Sequence, residues 1–340
     1  KPLGWHVQVM PPEAKATLER TRPHVLKVLQ GAADREVLER WRHYVPEGIL
    51  LYRSWFPNDS LADVPGRCHE LLSGMGEIAH LVDYVEVPWN EAHQAGDDLS
   101  DYCRASVDAV NILHGYGLRV LVGNFSAAQP DLGEWPRYYD ALRVADGLSL
   151  HEYSAPAMWD EAGERCLRYR RVLASLPADC RKLTFITETG IDWGMVDGKQ
   201  EGFRARGGTA PGVYAEQLRW YARELVRDGV YATIFQCGSY EDWKAKGFDV
   251  AGVPEIEDVV REEVDVPTVG AGFNKVADLV GPWAEDEIFH GPVGDRTSLA
   301  VGERGIATWR QRTNRTVAIL DDGRIFADDG NAGAVVKERQ

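Results

Sequence analysis

The chain alternates between short β-branched or apolar runs and longer stretches whose apolar positions recur every three to four residues, the two periods that separate strands from amphipathic helices. Eight runs have strand character: residues 5–10 (WHVQVM), 24–29 (HVLKVL), 49–55 (ILLYRSW), 84–90 (YVEVPWN), 119–124 (RVLVGN), 148–153 (LSLHEY), 182–188 (KLTFITE) and 231–236 (YATIFQ). Helical periodicity lies between them, as at residues 99–116 and 213–227, the latter stopped by Asp228-Gly229. Such alternation predicts repeated βα units and a parallel sheet, and eight strands at roughly 30-residue spacing predict a closed (β/α)8 TIM barrel. An open doubly wound sheet would carry a Gly-rich phosphate loop after its first strand; here that strand runs into Met10-Pro11-Pro12.

After a helical stretch at residues 255–263 the texture changes at Val266-Pro267. Short runs at 298–301, 306–311, 316–320 and 324–326, with Asp322-Gly323 as a turn signal, predict a small β meander. The expected organisation is a barrel over residues 1–267 and a C-terminal β appendage over 268–340, packed on the barrel flank.

Composition narrows the function classes. The 340 residues are 44% apolar and 27% charged, with no apolar run near the ~18 residues that a membrane span requires. A formal net charge of −15 repels phosphate backbones, so nucleic acid is not an expected partner. Five scattered cysteines (Cys68, Cys103, Cys166, Cys180, Cys237) form no C-x-x-C pair, which gives neither a zinc knuckle nor a dense disulfide framework. The chain opens at Lys1 with neither Met nor an apolar leader. That start suggests a processed or excised segment, with an extracellular or cell-envelope setting favoured.

In a βα barrel, chemistry gathers at the C-terminal ends of the strands. Those ends are polar and aromatic: Gln8; Arg53 and Trp55; Trp89-Asn90-Glu91; Asn124; His151 and Tyr153; Glu188; and Gln236. Glu91 and Glu188 face each other across the expected mouth. Glycosidic cleavage through an oxocarbenium-like transition state needs one carboxylic acid to protonate the leaving oxygen and a second carboxylate on the other face of the sugar, ~5 to 5.5 Å away in retaining enzymes.

Asn90-Glu91 closing VEVPWNE, with Glu188 closing LTFITETG, resembles the paired signature of the clan A glycoside hydrolases, over residues 4–265. The resemblance implies retaining hydrolysis of a β-linked polysaccharide or oligosaccharide, with Glu91 as acid/base and Glu188 as nucleophile. It implies further that Asn90 contacts the sugar 2-hydroxyl, that Tyr153 hydrogen-bonds the nucleophile, and that His151 is another polar substrate contact. Two features depart from the pattern. Gln30 stands where many members have Arg at the end of strand two, with Arg53 close by, and the Trp that often follows strand eight is missing, Trp243 lying seven residues past Gln236.

Asn124 joins the expected substrate contacts as a strand-end amide, and Trp55, Trp193 and Trp243 as aromatic walls for sugar C–H faces. Two competing carboxylates are set aside: Glu86 lies below the rim, and alternation turns Glu152 away from His151 and Tyr153, toward a helix-side cation. No cofactor or metal is expected, since His6-Val7-Gln8 lacks a second His. The competing reading is a glycan-binding barrel of a larger cell-surface or phage assembly, which would have no need of both glutamates. An amidase would want a metal cluster or a Ser/Cys nucleophile that the sequence does not display.

Overall fold

A computed structural model of the chain describes residues 1–54, 61–92, 98–159 and 163–264, together with six strands of the C-terminal region. Eight parallel strands, β1 (Leu3–Val7), β2 (Val25–Leu29), β3 (Ile49–Arg53), β4 (Tyr84–Glu86), β5 (Val120–Phe125), β6 (Gly147–Ser154), β7 (Leu183–Ile191) and β8 (Tyr231–Phe235), pair in sequence order. β8 returns to pair with β1. With helices between successive strands, the architecture is a (β/α)8 barrel. Pro12 opens the first helix, Pro12–Thr21, where a missing N–H is no loss, and Gly229 ends Pro211–Asp228 in a left-handed cap.

Strand ends differ from those expected at two places that matter. β4 is only three residues long, because Pro88 has no N–H to offer the ladder. β7 does not stop at Glu188 but runs on to Ile191.

A broad apolar layer fills the space between the sheet and the helices, with Trp5, Trp41, Trp135, Tyr102 and Leu218 among its buried members. Inside the barrel a smaller apolar cluster, Val25, Leu51, Leu121 and Phe185 with Tyr84 and Tyr231 against it, closes the floor. The layer above the floor is polar and charged: His6, Lys27, Glu86, Ser149, Thr187 and Thr233 are all fully buried.

The second compact unit, Asp265–Gln340, contains an antiparallel meander of β9 (Ile288–His290), β10 (Thr297–Gly302), β11 (Gly305–Arg310), β12 (Arg315–Leu320), β13 (Ile325–Ala327) and β14 (Lys337–Arg339). Asp322-Gly323 lies outside the described residues.

Candidate active site

Glu188 owes its direction to a bulge. Through Ile186 the β6–β7 register is regular, but His151 then pairs with Glu188 rather than Thr187, so β7 carries one extra residue there and its alternation resets. Thr187 and Glu188 consequently both face the interior: Thr187 Oγ1 meets Ser149 Oγ at 2.8 Å, while Glu188 rises into the ring of side chains above.

Four strands place partners on Glu188. Lys27 Nζ on β2 donates to Oε1 at 3.2 Å, Arg53 Nη1 on β3 lies 3.0 Å from the same oxygen, and Tyr153 on β6 donates its hydroxyl to Oε2 at 2.9 Å. His6 Nδ1 on β1 stands 3.8 Å from Oε1. Burial by itself would raise the Glu188 carboxyl, but His151, Lys27, Arg53 and His6 outweigh it and hold the group well below the usual carboxylate range. The cations respond differently: burial and then Arg53 pull Lys27 down, against Glu86 and Glu188. Arg53 moves up, since Glu188, Glu86 and Glu91 together exceed the cost of its burial.

Glu91 is reached by another device. It sits just past β4 in left-handed backbone, with φ of 55°, and its N–H donates to the carbonyl of Asn124 at 2.9 Å. Asn124 is itself left-handed, with φ of 47°, a conformation that Asn tolerates better than most side chains. Its amide donates to the carbonyls of Val87 at 3.2 Å and Trp89 at 2.9 Å. The two positive-φ residues thus brace the turn that delivers Glu91 to the mouth, where its side chain stays about one quarter exposed. His151 bridges the pair, with Nδ1 2.8 Å from Glu91 and 3.7 Å from Glu188.

These groups open on a cavity of about 410 Å³ at the C-terminal end of the barrel. Arg53, Asn90, Glu91, Tyr153 and Glu188 line it together, along with Gln8 and Ser126. Residues after β7 (Asp192, Met195, Gln200) and after β8 (Trp243, Lys246, Phe248) build one wall, with Phe235 at its base. That wall is a single piece: the Gly202 N–H donates to the Lys246 carbonyl at 2.8 Å, and the Arg204 N–H to that of Gly247 at 3.3 Å. Asp192 accepts from the N–H groups of Gly194 and Glu201, and burial pushes its carboxyl up.

Some expected contacts lie elsewhere. His151 does not line the cavity; it is buried against both carboxylates. Asn124 is fully buried and spends its amide on backbone carbonyls, so it shapes the site without facing a ligand. Trp193 packs on the apolar core with the Arg206 guanidinium over its ring and leaves the wall to Met195 and Gln200. Trp243 does line the cavity, edge-on to Phe235. Trp55 lies outside the described residues. Glu152 points out of the barrel, but its partners are the N–H groups of Leu167 and Tyr169 and the Tyr221 hydroxyl rather than a cation.

Sequence reasoning passed over Lys27 and Phe235 and weighed His6 only as a metal ligand. A single Lys at an inward position of the apolar run HVLKVL was the available signal, since a lysine is rarely buried unless paired. Phe235 ends β8, the strand after which a Trp was sought, and Tyr153, Trp243 and Phe248 pack edge-on around it.

Glu91, His151 and Glu188 each offer a ligand atom, all within 4.8 Å of one another, a spacing that could hold a metal ion. With Lys27 and Arg53 already on Glu188, a further positive charge there is disfavoured. What the arrangement can do is present two carboxylates to one cavity, one held ionised by cations and the other facing solvent.

No family model matches the sequence, and no curated protein matches it. Solved structures do match in fold. An engineered protein aligns over 96% of this chain and 92% of its own, at 14% identity and a TM-score of 0.51. An endo-β-1,4-mannanase double mutant from Cellulomonas fimi (14% identity, 95% and 90% covered, TM-score 0.48) and a GH30 endoxylanase from Clostridium papyrosolvens (11%, 99% and 89%, TM-score 0.48) are further matches.

Proposed function

We propose that this chain is a retaining glycoside hydrolase that cleaves a β-linked polysaccharide or oligosaccharide. The observation that carries the reading is the pair Glu91 and Glu188, which line one cavity with carboxylate oxygens within 4.8 Å of each other and have unlike surroundings. Glu188, ionised against Lys27 and Arg53, attacks the anomeric carbon. The bond from that carbon to the leaving oxygen breaks as Glu91 passes its proton to the oxygen, and the product is a glycosyl ester on Glu188. Glu91, now a carboxylate, takes a proton from water; the water oxygen attacks the same carbon and frees Glu188.

The remaining residues position the sugar. Arg53 holds Asn90 by its Oδ1, which leaves the amide nitrogen of Asn90 as a donor to a sugar hydroxyl. Tyr153 orients Glu188 through Oε2. The mixture of Gln8, Ser126, Asp192, Gln200 and Lys246 with Trp243 and Phe248 suits a ligand that has hydroxyls on its edges and C–H faces above and below.

The test is a panel of β-linked glucans, mannans, xylans and aryl β-glycosides, with proton NMR following the first anomer released. Net retention supports the reading. Initial release of the inverted anomer, or binding without cleavage across the panel, refutes it.

A further inference from the structure

A third carboxylate lies beneath the two that face the cavity. Glu86 on β4 is fully buried; its Oε1 accepts from Ser149 Oγ at 2.7 Å, and its Oε2 lies 2.9 Å from Lys27 Nζ and 3.8 Å from Arg53 Nε. The same ammonium of Lys27 reaches Glu188 at 3.2 Å. Two anions therefore share two cations in the polar layer of the barrel. Their duties differ, because Arg53 also holds Asn90, whereas the hydrogen-bond and ion-pair partners of Lys27 among the described residues are Glu86 and Glu188.

Neither Lys27 nor Glu86 lines the cavity, so neither meets a substrate. An ion pair in a barrel interior also contributes little to stability that well-packed apolar side chains could not match. What the pair can do is set part of the charge around Glu188.

We propose that Lys27 and Glu86 are positioning residues that set the basicity of Glu188 in opposite directions, Lys27 stabilising its charged form and Glu86 tempering that field so that the carboxylate stays nucleophilic. This rests on Glu188 being the nucleophile. Among the described residues, the groups that face Glu188 are His6 from β1, Lys27 from β2, Arg53 from β3, Glu91 after β4, and His151 and Tyr153 from β6. Glu86 stands behind Lys27. Removing one charge at this distance moves a carboxyl by about one to three pH units.

Two readouts test the proposal in Lys27→Met, Glu86→Gln and the double variant. One is the acidic limb of kcat/KM on an aryl glycoside. The other is a 13C carboxyl titration of Glu188, assigned by the resonance lost in Glu188→Gln, which needs no turnover. Lys27→Met should move the Glu188 titration and the acidic limb up by about one to three units. Glu86→Gln should move both down and lower the plateau rate, since a less basic carboxylate is a poorer nucleophile. The double variant should fall between the singles, because the two charges cancel.

Lys27→Met leaves Glu86 without its closest counter-charge and can unfold the protein. The double variant leaves no such charge, and its upward displacement from Glu86→Gln measures the same effect. An unmoved Glu188 titration, singles that shift in the same direction, or shifts that accumulate in the double variant would each overturn the proposal. If the titration moves as described while no glycoside is cut, the charge-setting pair stands and the hydrolase reading falls.

Discussion

Glu188 and Glu152 occupy neighbouring rungs of the β6–β7 ladder, where His151 pairs with Glu188 and Glu152 with Thr189. Both are nearly without exposure, yet their carboxyls lie on opposite sides of the ordinary range. Glu152 accepts only neutral donors, two backbone N–H groups and the Tyr221 hydroxyl, and burial pushes it up to about 7. Glu188 is buried as deeply but holds Lys27 and Arg53 and sits well below 4.5. At Glu152 burial outweighs the neutral donors and the more distant Arg170 charge, whereas at Glu188 the charges of His151, Lys27 and Arg53 outweigh burial.

The strongest way to break the comparison is to remove each carboxylate in turn. Glu188→Gln should reduce turnover of every substrate to below about a thousandth of wild type, since no glycosyl ester can form. Glu152→Gln should stay within about tenfold, because nothing it touches lines the cavity. Equal losses in steady-state assays would refute the division of roles.

Glu91→Ala comes next. Unactivated glycosides should slow by about 10²- to 10⁴-fold, the usual yield of a general acid. Aryl glycosides with good leaving groups should slow far less, and added azide should restore turnover as a β-glycosyl azide, detectable by mass spectrometry. Uniform loss without azide rescue would exchange the roles or remove them.

Asn124→Gly preserves the left-handed backbone but deletes both amide hydrogen bonds to the Val87 and Trp89 carbonyls. Thermal unfolding should reveal a loss of about 1–3 kcal/mol, and kcat should drop by about ten- to a hundredfold as Glu91 drifts from its place. An unchanged kcat would show that Glu91 needs no brace.

The smallest effect sharpens the comparison through pH. A carboxyl raised from 4.5 to about 7 binds more protons folded than unfolded between those values, so its contribution to stability falls as pH rises from about 4.5 to 7 and is level above. Denaturant titrations at pH 5 and pH 7.5 should show a smaller decline in Glu152→Gln than in wild type. The cation-held Glu188 works in the opposite sense: its stabilisation is present above the ordinary carboxylate value and is lost only as pH falls through its depressed folded value.

The barrel was legible because eight alternations of period leave few other architectures, and the polar strand ends pointed to the mouth. The facing of Glu188 toward the mouth was expected from its place at a strand end and from the resemblance, but it was not legible in the alternation. Counting outward from Phe185 by twos puts Thr187 inside and Glu188 outside; only the extra residue at the β6–β7 bulge turns Glu188 inward, and a bulge of this kind leaves no mark in KLTFITE. Asn124 misled for a related reason: a polar strand end was read as a contact with ligand, while its side chain satisfies carbonyls that the three-residue β4 leaves unpaired. Lys27 was visible but was absorbed into the apolar run around it. Its purpose depends on Glu86 and Glu188, far apart in sequence and brought together only by closure of the barrel.

The backbone stitch between the segments after β7 and β8 bears on how this cavity could be recast. The carbonyl oxygen of Gly247 would stand 2.5 Å from a Cβ placed on Gly202, so the close approach of the two segments depends on glycine at this position. Transplanting the segment around Met195 and Gln200 from another barrel, without its partner around Trp243 and Lys246, would import a wall with half its seam missing. A library aimed at new ligand preferences should therefore vary the exposed faces of both segments together while keeping Gly202 and the 246–247 turn constant.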